Sequence, residues 1–132
     1  MVSSLGVGSD EIWPKIKEGI SGIDFLKRVD NTDLKTKFGG EIAEHFNAED
    51  FIDPKEARRS DVFIQYAAAA AVLALKDSGL EINPQNENLI GSYIGSGIGG
   101  IQTFVDNVIA YREKGPSRVS PFFVPSMVPN MA

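Results

Sequence analysis

The residues best suited to chemistry fall into a few clusters. Gly95, Gly97 and Gly100 stand in the order G-x-G-x-x-G, after an apolar stretch and before an amphipathic one. In that setting backbone N–H groups can cradle a dinucleotide pyrophosphate. The dinucleotide reading also requires an acidic residue about 20 positions on, at the end of a second strand. Glu113 lies 18 residues after Gly95, but inside the polar run Tyr111-Arg112-Glu113-Lys114 and not at a strand end. The same glycines suit a tight strand-to-helix turn, where glycine tolerates positive φ and close backbone approach. Lys55, Arg58 and Arg59 occupy i, i+3 and i+4 and so share one helical face. With Asp53, Glu56 and Asp61 beside them they read as an ordinary solvated face. The functional alternative is a small cationic landing patch that steers an acidic partner. His45 has Glu44, Glu49 and Asp50 nearby in the chain and reads as a surface or turn residue, since no second His exists to build a metal site. Ser96, in Gly95-Ser96-Gly97, does not match the G-x-S-x-G elbow and has no base at hand. No metal and no cofactor are assigned.

These groups need elements to position them. Residues 1–8 are rich in Gly and Ser and read as a loop. Ser9 or Asp10 can cap a helix over 10–19, with Pro14 delaying its regular part and Gly19 and Gly22 ending it. Ile12, Trp13, Ile16 and Ile20 have helical spacing and are expected to form one buried stripe. Residues 37–42 can make a short strand. Asp53-Pro54 is a helix start, cap then first helical position. A stronger helix runs from Asp61 to Ser78, and its five consecutive alanines, Ala67 to Ala71, predict a buried core helix closed by Ser78-Gly79. Asn83-Pro84-Gln85-Asn86 is a polar turn, and 89–94 reads as a strand leading into the glycine loop. Ile101, Phe104, Val105, Val108 and Ile109 mark a helix ending near Lys114-Gly115-Pro116. Residues 120–129 are apolar with three prolines and cannot be one regular helix or a central strand. With neither repeat nor linker visible, the chain reads as one α/β unit.

The composition narrows the partners. The 132 residues carry 13 Lys and Arg against 18 Asp and Glu, a net charge of −5, with one His and no Cys. Net acidity argues against nucleic acid, whose phosphates require clustered positive charge. The absence of cysteine excludes a disulfide framework, a thiolate metal site and a cysteine nucleophile within these residues. No apolar window is long enough to span a membrane, and the N-terminus lacks a basic, apolar leader. The default is a soluble cytoplasmic protein.

Three segments resemble a known family. They are Lys55-Glu56-Ala57-Arg58-Arg59-Ser60-Asp61-Val62-Phe63-Ile64-Gln65-Tyr66, Ile94-Gly95-Ser96-Gly97-Ile98-Gly99-Gly100, and Gly115-Pro116-Ser117-Arg118-Val119-Ser120-Pro121-Phe122-Phe123-Val124-Pro125. Together with Trp13 and Ser21-Gly22-Ile23 they are similar to the N-terminal part of β-ketoacyl-acyl-carrier-protein synthases, nearest to the elongating type II enzymes. The resemblance runs over essentially the whole chain. It implies the N-terminal portion of a thiolase-like fold, layered α/β/α and usually homodimeric. Its members condense an enzyme-bound acyl group with malonyl on acyl carrier protein. The family's Cys nucleophile, two His and Lys lie downstream of the matched region. Its opening apolar strand and Thr-Gly-Leu-Gly turn lie before it. The resemblance therefore implies a partial domain over 1–132 with no catalytic residue of its own.

Some residues carry over by position. Lys55, Arg58, Arg59 and Arg118 match basic positions that contact the acidic helix of acyl carrier protein. Gly97 and Ile98 match the acyl-pocket lining, with the isoleucine as a gate that its flanking glycines free to move. Phe123 and Val124 match residues near the dimer interface that approach the partner's acyl pocket. The expected activity is that of a fatty-acid elongating condensing enzyme, absent from the isolated chain. Its partners are acyl carrier protein and a second copy or other self-association, with no nucleic acid and no membrane span. A polyketide chain-length component, a non-catalytic carrier-binding fragment and a nucleotide-binding module stand as alternatives.

Overall fold

The computed structural model describes residues 1–132, the side chain of Met131 excepted. They form two compact units, residues 1–47 and 48–132.

In the first unit, residues 1–8 make a hairpin where a loop is expected. Strand β1 (Val2–Ser3) pairs antiparallel with β2 (Gly6–Val7) in the register Val2 to Val7 and Ser3 to Gly6. Helix α1 (Ser9–Lys17) follows directly, its N-cap being Gly8 at φ 89° and not Ser9 or Asp10. Only glycine enters a helix comfortably from that conformation. Pro14 lies inside α1 and does not delay it. The carbonyl deprived of a donor belongs to exposed Asp10, where water can serve it. The expected stripe is mostly open: Ile12 is buried, whereas Trp13, Ile16 and Ile20 are exposed. Helical spacing puts side chains on one face but does not supply a layer to cover them. Strands β3 (Asp24–Phe25) and β4 (Phe38–Gly39) pair antiparallel, which places a short strand within 37–42 as expected.

In the second unit, Asp53 caps α2 (Pro54–Ala57) by accepting the Lys55 N–H at 2.8 Å, with Pro54 in the first turn. Helix α3 (Val62–Ser78) is capped by Asp61 and stopped by Gly79 in the left-handed conformation, φ 63°. The alanine run does not make α3 a core helix, for only Ala69 along it is buried. Its small residues Ala67, Ala70, Ala71 and Ala74 instead line an open apolar groove of about 760 Å³, with Ile90 and Ile94 opposite. The strand expected over 89–94 does not form. Glu87–Leu89 make a 3₁₀ turn, and Ile90 is extended (φ −110°, ψ 127°) without entering a ladder. β-Propensity sets backbone shape, but a strand exists only through hydrogen bonds to a neighbour. Helix α4 (Ile101–Lys114) ends at Gly115, as its pattern predicts. Proline-rich 120–129 yields only the short α5 (Phe123–Met127), between an N-terminal turn and a 3₁₀ turn at Pro129–Met131.

Candidate functional site

The site grows from the turn between α2 and α3, which α3, α4 and α5 hold by hydrogen bonds. The Gln65 side-chain amide donates to the carbonyls of Ala57 (2.8 Å) and Ser60 (3.1 Å). The Ser126 hydroxyl, on α5, donates to the Arg59 carbonyl at 2.5 Å. Asp61 binds two helix starts with one carboxylate. Its Oδ1 accepts the Phe63 N–H at 3.3 Å, capping α3, and its Oδ2 accepts the Thr103 N–H and hydroxyl at 3.1 and 2.6 Å in the first turn of α4. Asp61 is 8% exposed and Ser126 is 6% exposed. Buried polar groups of this kind persist only when paired, so they fix geometry more sharply than apolar contacts do.

This scaffold displays the basic residues. Lys55, Arg58 and Arg59 are exposed on α2 and the turn after it. Arg58 reaches Glu49 at 3.5 Å, an exposed pair of small energetic value. The Arg59 guanidinium lies over the Phe122 ring, 4.7 Å from its centroid. Stacking occupies the guanidinium face and leaves its in-plane N–H donors for an acceptor. Arg58, Arg59, Ser120 and Phe122 line one cleft of about 210 Å³. Arg118 ends the 3₁₀ turn Pro116–Arg118, two residues before Ser120, whose N–H donates to the Asn107 side chain at 2.7 Å. Ion pairing among the described residues occupies Arg58 only of these four, and that weakly.

The glycine loop divides into a free half and a clamped half. A Cβ on Gly95 or Gly97 would meet nothing within 4 Å. Gly99 sits at φ +80°, where a Cβ would strike the Met127 carbonyl, and a Cβ on Gly100 would strike the Ser126 carbonyl. The Gly100 N–H donates to the Met127 carbonyl at 2.9 Å, and the Gly99 N–H to the Ser96 hydroxyl at 2.9 Å. Ile98 stands between the halves, 72% exposed. The loop fits nucleotide phosphates poorly, because the start of α4 already holds an anion, the Asp61 carboxylate, 3.0 Å from where a Gly100 Cβ would lie. A phosphate there would meet like charge. Phe123 packs on Phe104, ring centroids 6.1 Å apart, and Val124 is exposed beside it.

Residues missed by sequence patterns are Asp61 as a double cap and Ser126 as a tie. An Asp directly before an apolar helical run is a cap signal for Asp61; nothing local marks its bond to Thr103, 42 positions away. In the first unit His45 lies 2.9 Å from Glu11, 34 positions away. Glu11 also takes Lys15 at 2.7 Å and the Val7 N–H at 2.8 Å. The Lys15 hydrogen bond, then the Val7 amide, with His45 adding to both, lower its carboxyl pKa from 4.5 to about 2.

A protein-family model described as the N-terminal domain of beta-ketoacyl synthase matches residues 1–132. The chain is 46% identical over 131 residues to 3-oxoacyl-[acyl-carrier-protein] synthase 2 of Staphylococcus aureus, covering 99% of this chain and 32% of that protein. It is 44% identical to the protein of the same name from Vibrio cholerae serotype O1, covering 99% and 31%. The chain thus spans about a third of the length of these relatives. Among solved structures it is similar to the ishigamide ketosynthase/chain length factor, with a TM-score of 0.74 at 23% identity over 96% of this chain and 32% of that one. That likeness is one of fold, α/β and thiolase-like, of which these residues form a part. No helix among the described residues is long and apolar enough to cross a membrane.

Proposed function

Since the chain belongs to the β-ketoacyl synthase family through its N-terminal domain, we propose that it supplies the carrier-docking and acyl-pocket elements of a fatty-acid elongating condensing enzyme. In that reaction acyl and malonyl groups, each on acyl carrier protein, give 3-oxoacyl carrier protein. Residues 1–132 act as one partial domain of the enzyme, in the cytoplasm with its carrier. The observation supporting this most directly is the exposed set Lys55, Arg58 and Arg59 on a turn held by hydrogen bonds from Gln65 and Ser126. An acidic carrier surface meets donors whose backbone is already ordered, so little entropy is lost on docking. Arg118 extends the same basic surface. Gly97 and Ile98 line the acyl pocket, and Phe123 and Val124 face the equivalent pocket of a second copy in a homodimer. With no cysteine in its 132 residues, the chain has no thiolate to accept an acyl group and forms no carbon–carbon bond by itself.

The test is titration of the chain with acyl carrier protein, wild type against an Arg58→Glu, Arg59→Glu double variant. Charge reversal should weaken docking at least about tenfold, and wild-type affinity should fall as salt rises. Equal affinities for the two chains reject the patch. Condensation product formed by the 132-residue chain from acyl- and malonyl-carrier protein would reject the assignment of catalysis elsewhere.

A further inference from the structure

The basic turn and the glycine loop are joined by a short, fully hydrogen-bonded path. The Ser126 hydroxyl grips the Arg59 carbonyl at 2.5 Å. On the other side of the same residue, the Ser126 and Met127 carbonyls press on Gly100 and Gly99, and Met127 accepts the Gly100 N–H at 2.9 Å. Two backbone positions therefore separate the Arg59 carbonyl grip from the loop. Ser126 is almost wholly buried. Its hydrogen bond cannot be traded for water without opening α5, so displacement of the turn is passed on and not absorbed. The loop is built to respond at one end only. Gly97 has open space, while Gly99 is fixed at φ +80° against Met127, so a shift of 126–127 swings Ile98 about the free glycine.

We propose that Ser126 is a positioning residue that carries docking at Arg58 and Arg59 to the loop holding Ile98. This rests on the carrier-docking reading above. A carboxylate bound to Arg59, whose guanidinium is already backed by Phe122 at 4.7 Å, immobilises the turn. Through Ser126 the loop hydrogen bonds then open less often.

The experiment is amide hydrogen exchange at Gly99 and Gly100 in the 132-residue chain, with and without carrier protein lacking its prosthetic arm. That probe cannot reach the loop with an acyl chain of its own. In wild type, docking should slow exchange at both amides by about fivefold or more. In Ser126→Ala the turn loses one of its holds and docking weakens, so carrier is raised until both chains are equally saturated; at that point the slowing in the variant should fall toward zero. Asp61 still ties α3 to α4 in that variant and holds the fold. Docking by wild type with unaltered loop exchange overturns the proposal whatever the variant does. Equal slowing in Ser126→Ala overturns the role of Ser126. Failure of the wild type to dock at all removes the carrier-docking reading and this inference with it.

Discussion

Replacing Asp61 with Ala should unfasten two helices at once. The variant loses the α3 cap, a bond of 3.3 Å to the Phe63 amide, and two bonds from Thr103 at 3.1 and 2.6 Å. A lost Asp cap costs about 1 kcal/mol. Leaving the Thr103 amide and hydroxyl without an acceptor, at a site where Asp61 is 8% exposed, costs about 1–3 kcal/mol more. The total, about 2–4 kcal/mol, is large because apolar burial in this unit is slight: its buried hydrophobic residues are Ala48, Ala57 and Ala69. Two measurements follow. Urea unfolding should shift to lower midpoint, and the Phe63 and Thr103 amides should exchange about thirtyfold faster or more, taking 1.36 kcal/mol per tenfold. Asp61→Asn, which keeps one oxygen for two helix starts, should fall between Ala and wild type. Thr103→Val and Asp61→Ala together should cost less than the two separately, since they remove the same bond. A stability change below about 0.5 kcal/mol in Asp61→Ala, the size typical of plain surface substitutions, would refute the double-cap reasoning.

The two halves of the glycine loop should respond oppositely to one methyl group. Gly99→Ala sets a Cβ at φ +80° against the Met127 carbonyl and should destabilise by about 1–3 kcal/mol, whereas Gly97→Ala, in open space, should be nearly neutral; equal unfolding midpoints would refute the division. Glu11 is ionised more readily in the folded chain than in the unfolded one, its pKa falling from 4.5 to about 2. Its stabilising effect is therefore complete above about pH 4.5 and is lost as the pH falls toward 2. Thermal melts of wild type and Glu11→Gln should differ near neutrality and converge at the acid end; a gap independent of pH would refute this.

Where a structural decision is made within a few residues, the sequence was readable. Asp53-Pro54 opens α2, Gly79 closes α3 and Gly115 closes α4, because caps and stops act through backbone conformation and one adjacent side chain. The prolines of 120–129 permitted only the short α5 for the same reason. Apart from the hairpin of residues 1–8 and the Gly8 cap of α1, the differences lie where a neighbour distant in sequence decides. The 89–94 segment is apolar enough for a strand but enters no ladder; Trp13 and Ile16 are helical yet exposed, and Ile20, also exposed, lies beyond the end of α1. The basic residues of the candidate site were visible as a pattern; Ser126, which holds their turn from 67 positions away, was not.

By itself the sequence determined the start of α2 and the ends of α3 and α4, the exclusion of thiol chemistry and, through three long motifs, the family to which the chain belongs. These follow from local conformational preference, from composition, and from the low chance of matching long ordered strings. Only the tertiary structure decided which glycines are clamped, which carboxylate caps α4, and how the basic turn reaches the glycine loop. Such contacts join residues 26 to 67 positions apart, and the free energy that selects them lies in burying and pairing polar groups once the chain has folded around them.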